Sequence, residues 1–153
     1  MYLYNKKGYE FRLEINGYQF PHILDRYWDS NWLSVRLSGI NSRGSWNVDD
    51  PCLLTFEVES LVSWLQKIIV DRVSQPRKDF LEPNLKFCVI KHRLGNYFMR
   101  VDLGDIVLRK MIPEAFGDEK FIRLYFPLDE IDLPDQAQSL RTQLSKYPQR
   151  VFR

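Results

Sequence analysis

From Tyr9 to Ile15 the chain alternates. Tyr9, Phe11, Leu13 and Ile15 fall on one side, and Glu10, Arg12 and Glu14 on the other. That two-residue period predicts a half-buried strand. Asn16-Gly17 supplies turn chemistry to end it, and Pro21 breaks regular pairing beyond. A second alternating segment runs from Trp32 to Leu37, with Leu33, Val35 and Leu37 on its apolar face. After a connection over Gly39 to Gly44, Ser45 to Val48 reads as a short third strand that Asp49-Asp50-Pro51 stops.

The period then lengthens to that of a helix. Val58, Leu61, Val62, Leu65, Ile68 and Ile69 form one apolar face, with Trp64 at its flank. Thr55 is the expected N-cap, and Glu57 and Glu59 place negative charge near the positive helix end. Residues 71 to 84 are polar, carry Pro76 and Pro83, and read as irregular. A meander follows, with strands over Leu85 to Lys91, Tyr97 to Leu103, Ile106 to Ile112 and Lys120 to Leu128. Its connections are Gly95-Asn96, Gly104-Asp105 and Phe116 to Glu119, and tight turns of this kind make neighbours antiparallel. A second helix is expected near Pro134 to Tyr147, with Ala137, Leu140, Leu144 and Tyr147 as its stripe and Pro148 as its end. The fold class expected is α+β: one domain over residues 1–153, with a mostly antiparallel sheet of about seven strands, including a C-terminal four-strand meander, and two amphipathic helices.

Composition narrows the function classes. Apolar residues at 44% are enough for a core that needs no disulfide or metal. The 22 basic and 20 acidic side chains nearly cancel, which argues against nucleic acid and against an anionic membrane surface as partners. Cys52 and Cys88 each sit in an apolar run without framework spacing, as expected of free thiols in a reducing compartment. The opening residues carry no apolar signal core, and no apolar stretch reaches membrane-spanning length. The expected location is therefore cytoplasmic.

The residues offer little for chemistry. His22 and His92 belong to no ligand or catalytic spacing, and the glycines stand singly with no phosphate-cradling loop. No nucleophile elbow is present, and Cys52 between Pro51 and two leucines reads as inert. No cofactor or metal is expected. An alternative remains in the carboxylates Asp25, Asp29, Asp49 and Asp50 with His22, which could serve a small-ligand or metal-dependent enzyme if their loops met in one cleft. The bland reading of the same residues is local hydrogen bonding at turns.

Two phrases draw more attention. Tyr27-Trp28-Asp29-Ser30-Asn31-Trp32-Leu33 and Asp49-Asp50-Pro51-Cys52-Leu53-Leu54-Thr55-Phe56-Glu57 both set carboxylates and polar groups beside large aromatics at the edges of apolar segments. That combination fits a contact surface for another protein, with Trp28, Asp29, Asn31, Trp32, Asp49 and Asp50 as its candidates. Acidic side chains there would steer a basic partner, and the aromatics would anchor it. Self-association into a homo-oligomer through this patch or through the meander edge is a third reading.

These phrases also carry a family resemblance. Gly17-Tyr18-Gln19-Phe20-Pro21, Asp29-Ser30-Asn31-Trp32-Leu33, Asp50-Pro51-Cys52-Leu53-Leu54-Thr55-Phe56-Glu57-Val58, Glu82-Pro83-Asn84-Leu85 and Phe126-Pro127-Leu128-Asp129-Glu130-Ile131-Asp132-Leu133 resemble, in order, the WapI-type immunity proteins. The resemblance implies a small cytoplasmic protein that binds and blocks a cognate bacterial toxin domain without chemistry of its own. In the namesake family the toxins include nucleases that attack transfer RNA. No binding motif comes with the resemblance, so it assigns no residue a role.

Overall fold

The computed structural model describes residues 1–104 and 121–151. Its elements are β1 (Tyr2–Tyr4), β2 (Glu10–Tyr18), β3 (Trp32–Asn41), β4 (Gly44–Leu54), α1 (Thr55–Val70), β5 (Arg77–Lys78), β6 (Leu85–Lys91), β7 (Tyr97–Leu103), β8 (Ile122–Pro127) and α2 (Leu133–Leu144). They form two four-stranded antiparallel sheets, β1-β2-β3-β4 and β5-β6-β7-β8. The α+β class holds, and the second sheet is the C-terminal meander. The expected strand Ile106 to Ile112 and the Phe116 to Glu119 connection lie outside the described residues.

Alternation builds both sheets. Phe11, Leu13, Leu33, Val35 and Leu37 line one face of the first, and Phe87, Met99, Val101, Leu124 and Phe126 one face of the second; all are buried. These faces, with Val58, Leu61 and Leu65 of α1 and Ala137 and Leu140 of α2, belong to one continuous buried cluster. Phe87 is a junction in it. Its ring meets Phe11 of the first sheet edge-on at 5.9 Å and Trp64 of α1 at 6.3 Å. Full burial of each such aromatic or leucine side chain contributes about 1.5–3 kcal/mol.

Four expectations are corrected. Asn16-Gly17 does not end β2; the strand runs on to Tyr18 through a bulge between Ile15 and Gly17. Asp49-Asp50-Pro51 does not stop β4, which continues to Leu54. There the register skips: Leu33 pairs with Leu53 but Val35 with Asp50, so Pro51 and Cys52 together oppose Ser34. A bulge is where a strand tolerates a proline, because the local ladder is already broken. The N-cap of α1 is Leu54, and the cap comes from further along the helix: Glu57 Oε2 accepts the Leu54 N–H at 3.0 Å. Finally, the stretch 71–84 holds the short strand β5. Strand β1, over Tyr2–Tyr4, is an element that the pattern reading did not include.

Long-range side chains explain why those last elements order. Glu57 Oε1 accepts the Leu81 N–H at 2.5 Å, and Trp64 Nε1 donates to Gln75 O at 2.9 Å. Both tie the 71–84 stretch to α1. On the edge of the first sheet, α2 takes over the hydrogen-bonding positions around β1. Gln136 Oε1 accepts the Tyr2 N–H at 2.6 Å and Gln143 Oε1 the Ile15 N–H at 2.8 Å. Backbone donors at a sheet edge are thereby satisfied by helix side chains.

Candidate partner-binding surface

The two aromatic-rich phrases do meet. Trp32 pairs with Leu54 and Leu33 with Leu53 at the shared end of β3 and β4. A 3-10 turn at Asp29–Asn31 leads into β3, while α1 starts at Thr55 beside it. Three rings collect where the segments join. Tyr27 stacks on Phe56 at 5.4 Å with an interplanar angle of 12°, and Trp28 meets Phe56 at 6.0 Å and Tyr27 at 5.0 Å. Trp28 is 40% exposed, so the cluster presents an aromatic edge to solvent. Phe56 is the member that alternation and charge patterns did not single out. Its position in the first turn of α1 was the available signal.

The junction is held by Asn31, which is wholly buried. Its Nδ2 donates to Tyr27 O at 2.7 Å and to Val151 O at 3.2 Å. Its Oδ1 accepts from Thr55 Oγ1 at 3.1 Å and from the Arg150 N–H at 2.9 Å. The side chain uses both donors and both acceptor sites, which is all that an amide offers. Asn31 therefore cannot reach a partner, and its place in the expected contact patch is withdrawn. Thr55 likewise spends its hydroxyl inside and caps nothing.

The carboxylates separate. Asp50 is 4% exposed and turns inward, accepting from Asn84 Nδ2 at 3.4 Å; it too leaves the patch. Asp49 lies on the opposite face of β4, where Arg36 Nε and Nη2 each donate to it at 2.8 Å. That two-pronged hydrogen bond holds the Asp49 carboxyl below its ordinary pKa. Asp29 is partly exposed and faces Arg26 at 3.6 Å. Each exposed acid of the expected patch thus carries an arginine, so steering of a basic partner by an acidic field loses its basis. Trp28 and Asp29 stay at the surface, and Trp32 is half-buried at the strand end.

The same geometry bears on the enzyme alternative. Asp29, Asp49 and Asp50 point into three different surroundings, and His22 and Asp25 lie exposed in the preceding loop. No group of three or more His, Cys, Asp or Glu side chains able to hold a metal occurs among the described residues. Cys52 and Cys88 are both buried.

A second set of residues, unsignalled in the sequence, shapes the 19–31 loop. Arg150 Nη1 donates to Pro21 O at 2.9 Å and Ile23 O at 3.2 Å, and its guanidinium lies 3.4 Å from the centre of the Tyr18 ring. The Tyr18 hydroxyl donates to Pro148 O. The segment after α2 thus braces the loop that carries Trp28. The outcome is a braced, outward-facing aromatic surface, with the polar side chains used to build it.

Residues 2–148 match the family model of the immunity protein WapI-like family. The chain belongs to the WapI-like immunity protein family. The match runs through both sheets, both helices and the aromatic junction, and it gives the protein a role in toxin immunity in general terms. It also accounts for the resemblance of the quoted phrases, several of which have structural duties in this chain: Asn31, Glu57 and Asn84 are buried and hydrogen-bonded. No curated protein matches the chain. No helix among the described residues is long and apolar enough to cross a membrane.

Proposed function

We propose that this protein neutralises a cognate toxin domain by stoichiometric binding, acting in the cytoplasm, with the Tyr27–Trp28–Phe56 cluster as the anchoring surface. Membership of the WapI-like immunity family carries the class of function. The exposed, braced aromatic edge supports the choice of surface. Buried aromatic anchors near the middle of an interface dominate binding energy, and a pre-ordered loop limits the entropy lost on association. Asp29, at the rim beside Trp28, contributes orientation more than affinity, since its charge is already shared with Arg26.

The test is to mix the purified protein with a candidate cognate toxin domain, one encoded beside it where the genome carries one, and to follow complex formation and toxin activity together. A one-to-one complex in which toxin activity is lost supports occlusion. Trp28→Ala should weaken that complex by tenfold or more while the melting temperature stays within a few degrees. Unchanged affinity in a folded Trp28→Ala protein would move the interface elsewhere, and absence of any complex would remove the proposal.

A further inference from the structure

A cavity of about 570 Å³ opens at the other end of the molecule, where the β1–β2 loop faces the β6–β7 hairpin. That volume lies in the range of small-ligand sites. Its walls are aromatic and aliphatic: Tyr9, Ile90, Phe98 and Tyr125. Its lining is also cationic, with Lys6 and Lys7 from the β1–β2 loop and Lys91 and Arg93 from the β6–β7 hairpin, and Glu130 is the single acid among its lining residues. Glu130 takes Lys6 at 3.6 Å. Among the described residues, Lys7, Lys91 and Arg93 form no ion pair. In a chain of net charge +2 this is a local excess of positive charge over an apolar floor.

The walls are fixed in advance. Asn5 is buried, with Oδ1 accepting the N–H groups of Lys7 at 2.9 Å and Tyr9 at 3.2 Å. Its Nδ2 donates to Tyr125 O at 3.0 Å, which ties the lysine-bearing loop to β8 across the two sheets. Gly8 takes φ +83°, a left-handed conformation that a side chain would resist. On the opposite wall, His92 N donates to Asn96 O at 2.7 Å and Gly95, at φ +91°, closes the hairpin. His92 Nδ1 accepts the Leu94 N–H at 3.3 Å, which holds the ring against the hairpin turn.

We propose that this cleft binds a small anion with a flat aromatic body, the ring against Tyr9, Phe98 and Tyr125 and a phosphate or carboxylate among Lys7, Lys91 and Arg93. Apolar walls alone would take a neutral hydrophobe, and a cationic lining alone would take any anion. The two together select a molecule that has both parts. The proposal is independent of the toxin-binding reading and survives its failure.

Isothermal titration of the full chain with adenosine monophosphate, indole-3-acetate, adenosine and inorganic phosphate tests it. Saturable binding of either aromatic anion is expected. Adenosine and phosphate should each be at least tenfold weaker than adenosine monophosphate. The phosphate and carboxylate arms show which anionic group is preferred. Lys91→Glu with Arg93→Glu should weaken binding at least tenfold, and added salt should weaken it in the unmodified protein. If that variant melts early, Lys7→Glu on the opposite wall makes the same test. Three results would overturn the proposal: no saturable binding of either anion, phosphate bound as tightly as the nucleotide, or affinity indifferent to charge reversal in a folded variant. If no small anion binds but charge reversal breaks the toxin complex, the cleft is a protein contact instead.

Discussion

Asn31 shows how one side chain can define a surface without being part of it. Its amide meets a loop, a helix start and the segment after α2 in the same buried spot. Asn31→Ala leaves the Thr55 hydroxyl and the Arg150 N–H without that acceptor, and each buried unsatisfied group costs about 1–3 kcal/mol. A loss of about 3 kcal/mol in urea unfolding is the expected outcome. A loss below about 1 kcal/mol would mean that water replaces the amide. Asp49 is a contrasting case, because its partner Arg36 is on the exposed face. An exposed pair contributes little at neutral pH. The pair still has a pH signature. Asp49 is held below its ordinary pKa, so its contribution is present above that ordinary value and is lost as pH falls through the lower folded one. Arg36→Gln should therefore raise the Asp49 carboxyl pKa seen by carbon-detected NMR titration; an unmoved value would deny the pairing in solution.

Among the elements, the strand pair β3–β4 carries the most information about the site, since its end sets Trp32 against Leu54. Its hairpin end, where Gly39 pairs with Trp46, is packed tightly. A Cβ on Gly39 would lie 2.2 Å from Glu10 O and 2.7 Å from the Trp46 ring. Neither the backbone of β2 nor a buried indole can yield cheaply, so Gly39→Ala should destabilise the protein by about 1–3 kcal/mol. An unchanged melting curve would show that β2 and β3 are further apart than described. At the start of α1, Glu57 serves two backbone donors from separate segments. Glu57→Ala should speed proteolysis and amide exchange within 71–84 well before global unfolding, while Glu59→Ala, at an exposed position two residues further on, should not. Equal effects of the two would assign the protection to helix charge and not to the Leu81 contact.

At the scale of the whole molecule, period-two alternation and helical spacing made most elements legible, because each depends on which face is buried. Phe11 to Ile15, Leu33 to Leu37 and the stripe from Val58 to Ile68 needed nothing beyond their own neighbourhoods. What escaped depends on partners far along the chain. Strand β1 exists because β2 and Gln136 accept it, β4 passes Pro51 because Ser34 is opposite a bulge, and the 19–31 loop is shaped by Arg150. At the candidate surface, the sequence points to two phrases that meet in the structure, but it does not tell their buried polar residues from their exposed ones. Asparagine and aspartate beside aromatics look alike whether they face a partner or close a buried junction, and only the burial of Asn31 and Asp50 separates the two cases. The family match bears out the class of function that the resemblance of the quoted phrases implied.

The most direct measurement is the affinity between this protein and a candidate cognate toxin domain, taken by titration calorimetry with toxin activity read from the same samples. The expected result is a one-to-one complex that silences the toxin, weakened at least tenfold by Trp28→Ala in a protein that melts as the parent does. A folded parent protein that forms no complex, or one that binds while the toxin stays active, would contradict it.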